Sequence, residues 1–179
     1  MPGLDNNPAD DGMVFGKSHP YITKAYPGAE KAVAKTCIGK MIQDLRQGHP
    51  VGKTVLLGRL PEDVAEFITS RGINLNTKDV YISDKRIRHA LRDVKQQAGK
   101  TVTEKQLDML PELMDTCEIY WDDMKKNIQF VTYQDNEIQK FIVELNYKTK
   151  IDGKKDVVNY FVTAGKIDET TLGLYKKIR

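Results

Sequence analysis

The sequence predicts an α+β domain, with helices packed on one face of an antiparallel meander sheet and an N-terminal extension ahead of it. Three observations lead there. Between Ala29 and Met114 the apolar residues recur at helical spacing in several separate runs. From Glu118 onward they alternate with a period of two. Asp135-Asn136 and Asp152-Gly153 break that alternation as two-residue hairpin turns, where both central positions need positive φ. Helical segments followed by an antiparallel sheet give an α+β arrangement with helices on one face.

The elements follow in order. Residues 1–27 are rich in Gly, Pro, Asn and Asp, a composition that buries too little apolar surface to order itself, and read as a flexible arm. Ala34, Ile38, Met41, Ile42 and Leu45 then form one stripe of a helix over Ala29–Gln47, stopped by Gly48-His49-Pro50. Residues 1–50 are accordingly expected to be an appendage and 51–179 the core domain. Lys53–Leu57 is a β-branched and leucine-rich strand. Pro61 suits the first position of a helix running to Arg71, with Gly72 as its cap. Asp79–Ile82 is a second strand, and Ser83 caps a helix through Ala98, closed by Gly99. Thr103 and Gln106 form a capping box for a helix carrying Leu107, Leu110, Leu113 and Met114, which Pro111 bends or stops.

The turns set a register for the strands that follow. Counting outward from Asp152-Gly153 pairs Tyr147 with Val158, Leu145 with Tyr160, Val143 with Val162 and Phe141 with Ala164, all apolar or aromatic. Asp135-Asn136 pairs Phe130 with Phe141 and Ile128 with Val143, extending the same buried face over three strands. The opposite face would then present Gln129, Tyr133, Ile142, Glu144, Asn159, Phe161 and Thr163. Such a mixture of polar and aromatic side chains suits a ligand-binding surface.

Composition removes several classes of function. The 179 residues carry 28 Lys+Arg against 25 Asp+Glu, a net charge of +3, and are 40% hydrophobic, as in an ordinary globular protein. No apolar run approaches the roughly 18 residues of a membrane span, and the polar, acidic start is unlike a secretory signal, so a cytoplasmic location is expected. Cys37 and Cys117 stand far apart without a partner motif, which indicates neither a zinc site nor a disulfide framework; no cofactor is expected. Gly52-Lys53-Thr54 lacks the earlier glycine of a phosphate-binding loop, having Gln47 there, and it precedes its strand. No Gly-x-Ser-x-Gly or Cys-His signature appears.

The basic residues concentrate on one predicted helix. Lys85, Arg86, Arg88, Arg92 and Lys95 surround His89, and at about 100° per residue His89 lies opposite Ile87, Leu91 and Val94, beside Lys85 and Arg92. Cations hold phosphates, and an imidazole with an ordinary pKa of about 6.5 moves protons at neutral pH. A solvated basic face would show the same pattern. His19 and His49, each followed by Pro, read as loop residues. Thr163 falls on the open sheet face near the end of the last long strand, with Tyr133 and Glu144 as neighbouring polar candidates for substrate contact.

Taken together, Gly52-Lys53-Thr54-Val55-Leu56-Leu57-Gly58-Arg59-Leu60-Pro61, Asp79–Ser83 leading into Ile87-Arg88-His89, Leu110-Pro111-Glu112-Leu113-Met114 and Phe161-Val162-Thr163 resemble the phage-type domains of the barnase/EndoU/colicin/RelE-like nuclease superfamily. The resemblance spans residues 51–179. It implies helices packed on an antiparallel sheet and a metal-independent endoribonuclease, in which a base activates the ribose 2′-hydroxyl and cations stabilise the phosphorane. By position it makes His89 and Thr163 catalytic; the basic helix offers Lys85, Arg88 and Arg92, and the open sheet face Tyr133 and Glu144, as the expected substrate-binding residues. The partners it implies are RNA, transfer RNA included, and an immunity protein or phage capsid protein, in a bacterial host cell or delivered with the phage particle. A non-catalytic phage structural or partner-binding module that keeps the fold is the alternative.

Overall fold

A computed structural model describes residues 29–48, 52–91, 104–151 and 153–179. The expected arm, His19, His49, Arg92, Lys95, the helix end at Ala98-Gly99, Thr103 and Asp152 lie outside the described residues. In chain order the elements are α1 (Ala29–Arg46), β1 (Thr54–Arg59), α2 (Glu62–Ser70), β2 (Asp79–Ser83), α3 (Asp84–Leu91), α4 (Glu104–Asp108), α5 (Leu110–Thr116), β3 (Glu118–Asp122), β4 (Asn127–Gln134), β5 (Glu137–Ile151), β6 (Lys154–Ile167), α6 (Glu169–Leu172) and β7 (Lys176–Lys177). Local chemistry sets most boundaries. Pro61 stands at the N-cap of α2 with φ −57°, and Gly72 takes the left-handed conformation just beyond it, with φ +83°. Ser83 caps α3, its hydroxyl oxygen accepting the Arg86 N–H at 3.3 Å. The leucine-rich segment is two short helices broken at Met109, with Pro111 in the first turn of the second.

The protein is α+β, built on a seven-stranded sheet in the order β1-β2-β6-β5-β4-β3-β7. Strands β4 to β6 form the expected three-stranded antiparallel meander, and β3 extends it antiparallel to β4. The sheet as a whole is mixed, because β2 joins β6 in parallel through Val80↔Asn159 and Tyr81↔Tyr160. Turn signals report neighbours along the chain and so gave no sign of this pairing. One core cluster combines Ile38, Met41 and Ile42 of α1, Val64 and Ile68 of α2, Ile87 and Ala90 of α3, and Leu110 and Met114 of α5 with Val55, Ile119, Ile128, Phe130, Phe141, Val143 and Phe161 of the strands. Helix α1, expected in the appendage, thus buries its stripe in the same core as the strands that follow residue 50.

The register of the long β5–β6 hairpin corrects the simple count. Tyr147↔Val158 and Phe141↔Ala164 pair as expected, but between them Glu144 meets Tyr160 and Val143 meets Phe161. Two bulges account for this. One extra residue sits on β5 between Glu144 and Tyr147, and one on β6 between Phe161 and Thr163, so the offsets cancel at either end. Between the bulges the expected pairs Leu145/Tyr160 and Val143/Val162 do not form, and the expected single apolar face is divided. Phe141, Val143, Phe161 and Ala164 enter the main core. Tyr147, Val158, Tyr160 and Val162 join Leu56, Tyr81, Ile142 and Ile151 in a second cluster on the opposite face. Phe161 and Asn159, expected on the open face, are both wholly buried.

Asparagines fix the β5 bulge. Asn146 has φ +51°, and its side chain accepts the Asn76 N–H at 3.0 Å and donates to the Asn74 carbonyl at 2.9 Å. Asn159 donates to the carbonyls of Thr77 and Asp79 at 2.7 and 3.1 Å. Both therefore tie the hairpin to the segment entering β2. A bulge strengthens local twist, and the distal hairpin turns towards β1: Thr149 and Lys150 line the same cleft as Gly52 and Thr54.

Candidate functional site

That cleft, of about 410 Å³, is lined by Gly52, Thr54, Ser83, Asp84, Lys85, Arg88, Thr149, Lys150 and Tyr160. Three segments distant in sequence meet there: the entry to β1, the β2–α3 junction and the distal hairpin. Its floor is a fixed polar network. The buried Tyr160 hydroxyl donates to Ser83 Oγ at 2.6 Å, the same oxygen that caps α3. The Arg86 guanidinium donates to the Tyr147 hydroxyl at 3.1 Å and lies 5.8 and 5.6 Å from the Tyr147 and Tyr160 ring centres. Asp84, 3% exposed, accepts the Gly52 N–H at 2.8 Å and its neighbour Lys85 N–H at 2.7 Å. A buried carboxylate used in this way clamps the loop before β1 onto the start of α3.

Around this floor stand three exposed cations, Lys85, Arg88 and Lys150. Against them the lining offers a single carboxylate, Asp84, so the cleft keeps an excess of positive charge beside the positive end of the α3 dipole. Hydroxyls of Thr54, Thr149, Ser83 and Tyr160 supply donors and acceptors among the cations. Chemically this is a place for a phosphate or another polyvalent anion.

The expected residues are distributed unevenly around it. Lys85 and Arg88 are brought together in the cleft, as the helical spacing implied, while Arg92 lies outside the described residues. His89 is half-buried and one turn from Lys85 on α3, within about 6 Å at the β-carbons. Thr163 lines a different, larger cavity of about 970 Å³, bordered by Ile138, Lys140, Ile142, Lys166 and Asp168; it shares no cleft with Lys85 and Arg88. Tyr133 is three strands from β2, roughly 14 Å across the sheet. There it belongs to a group with Tyr120, Glu118 and Lys177: its hydroxyl is held well above the ordinary phenol range by hydrogen bonding with Tyr120, then by burial and by Glu118. Lys177 in turn holds Glu118 below the usual carboxylate range. Glu144 is exposed at the β5 bulge, opposite Asn127 and Tyr160.

Sequence reasoning missed Lys150, Thr149 and Tyr160 as neighbours of the basic helix. The density of lysines over residues 148–155 was the available signal, but its position beside α3 depends on the bulges. Among the described residues, no cluster of three or more His, Cys, Asp or Glu side chains is arranged to hold a metal ion, and no helix is long and apolar enough to cross a membrane. Comparison of the chain with protein-family models, curated proteins and solved structures found no match.

Proposed function

We propose that this chain is a metal-independent endoribonuclease domain that holds the RNA backbone in the cleft at the start of α3. The observation that carries the reading is the convergence of Lys85, Arg88 and Lys150 over a floor of ordered hydroxyls, one helical turn from an imidazole. Cations in that arrangement bind a phosphodiester and stabilise the extra negative charge of a pentacoordinate phosphorane. His89 is the base. It takes the proton of the ribose 2′-hydroxyl as that oxygen bonds to phosphorus. The bond from phosphorus to the 5′-oxygen breaks, and the leaving oxygen takes a proton from water, giving a 2′,3′-cyclic phosphate and a 5′-hydroxyl. Thr163 lines a separate cavity, so the chemistry is assigned to the α3 side alone.

The test is incubation of the full chain with RNA in EDTA. Wild type should produce discrete fragments ending in cyclic phosphate, and His89→Ala should lose about 10²- to 10⁴-fold in rate together with the ionisation in the pH–rate profile. Lys85→Ala and Arg88→Ala should weaken binding without sequence preference, each lowering the salt slope by about one. Thr163→Val should leave the profile's shape unchanged. Full activity in His89→Ala would remove the proposed base, and RNA binding without cleavage in the wild type would make the domain a non-catalytic binding module.

A further inference from the structure

We propose that the distal half of the β5–β6 hairpin is a second nucleic-acid contact, a basic ribbon that grips the backbone of a base-paired RNA stem beside the cleft. This rests on the reading of the chain as RNA-binding, but not on its catalysis.

The two sides of the ribbon differ. Tyr147, Ile151 and Val158 belong to the second apolar cluster, and by strand alternation Thr149 and its partner Asp156 share their side. The other side carries Lys148, Lys150 and Lys155, all exposed. Lys150 and Lys155 are direct cross-strand partners, a like-charge pairing that costs stability unless an anion lies over it. The single acid nearby in the described hairpin, Asp156, is on the opposite side and does not neutralise them. Among the described residues no ion pair holds Lys148, Lys150 or Lys155, whereas Lys35, Arg59, Lys78, Lys126, Lys166 and Lys177 each meet a carboxylate. Lys150 also borders the cleft with Lys85 and Arg88, so the lysine row continues the positive surface outward from it.

Among the described residues the ribbon has no stacking platform, and this decides which RNA. Proteins that grip single strands stack bases on exposed aromatic rings. Here Tyr147 and Tyr160 lie 4.8 Å apart beneath Arg86 in the apolar cluster, and the exposed Tyr133, on β4, pairs with Ile138 at the opposite end of β5 from the ribbon. A row of cations without aromatics contacts phosphates and reads shape, which is how base-paired RNA is recognised.

Binding of the full chain to a 2′-O-methylated stem of about 16 base pairs, long enough for a duplex-reading surface, should be measured against oligouridine of equal length. With the oligouridine 2′-O-methylated as well, neither RNA has an attacking hydroxyl and cleavage does not enter. The stem should bind at least tenfold tighter than oligouridine. Lys148→Glu with Lys155→Glu should weaken stem binding at least tenfold and lower the salt slope by about two. Glu at position 155 faces Lys150, which favours the folded hairpin; Lys148→Gln with Lys155→Gln supplies a second, milder variant, and melting curves check both. A folded variant that retains stem affinity, or oligouridine binding as tight as the stem, overturns the ribbon while leaving the cleft reading intact. Loss of stem affinity in the variant, with a wild type that cleaves no RNA, sinks the catalytic reading and keeps the ribbon. Failure of the wild type to bind either RNA refutes both.

Discussion

Replacing Asn146 by Ala and, separately, by Gly tests whether a left-handed residue shapes the hairpin. Its backbone has φ +51°, and its carboxamide makes the two hydrogen bonds to Asn76 and Asn74 at 3.0 and 2.9 Å. These bonds are exposed, so each contributes at the low end of the usual range of about 0.5–1.5 kcal/mol. Ala loses both and leaves a residue with a β-carbon, lacking the local hydrogen bonding of Asn, in a region that costs roughly 1–2 kcal/mol. The expected loss is about 2–3 kcal/mol. Gly loses the same bonds without the steric cost, so it should be about 1 kcal/mol better than Ala despite its larger backbone entropy. In a thermal melt that difference is roughly 2–4 °C for a chain of this size. Ala equal to or better than Gly would refute the left-handed bulge. The same pair should rank in the same order for RNA affinity, because the bulge carries Thr149 and Lys150 to the cleft.

Two further outcomes follow from burial. Val143 is 1% exposed between Ile128 and Phe161, so Val143→Asp should cost about 4 kcal/mol or more in a urea titration, while Glu144→Ala next to it should stay within about 0.5 kcal/mol; similar losses would contradict the register. Burial pushes the Cys37 thiol up to about 11 and Cys117 up to about 12 from an ordinary 9.0, so a disulfide reagent at neutral pH should label both in urea and neither in the folded chain. The sign of the linkage is set by the unfolded chain ionising first, so stability should fall as pH rises from 9 towards those values, and a stability that rises there would contradict the shifts.

Local features were legible in the sequence and long-range ones were not. The α1 stripe, the Ser83 cap, the break near Pro111 and the two-residue turn at Asp135-Asn136, where φ is 52° and 62°, all depend on residues within a few positions of one another. The β5 and β6 bulges left no comparable mark, because Leu145, Val162 and Tyr160 are equally suited to either sheet face. Counting from the turn therefore gave the correct pairs at both ends and the wrong ones between. At the site, helical spacing was enough to group Lys85 and Arg88, while His89 follows one turn on from Lys85 on α3 without lining the cleft. Thr163 was assigned to catalysis by analogy of position, and the pairing of β6 with β5 sets where it sits, in a separate cavity.

The parallel pairing of β2 with β6 has a kinetic consequence. Strands β3 to β6 are joined by short connections and have low contact order, so their sheet can form early. The β2–β6 junction instead brings together groups such as Asn159 and the Asp79 carbonyl, 80 residues apart, and must first meet the entropy of closing that loop. The walls of the cleft come from both sides of this junction. A chain still emerging from the ribosome has therefore made Lys85 and Arg88 long before Lys150 exists to complete the cleft with them, and the cleft closes only after the β5–β6 hairpin has followed.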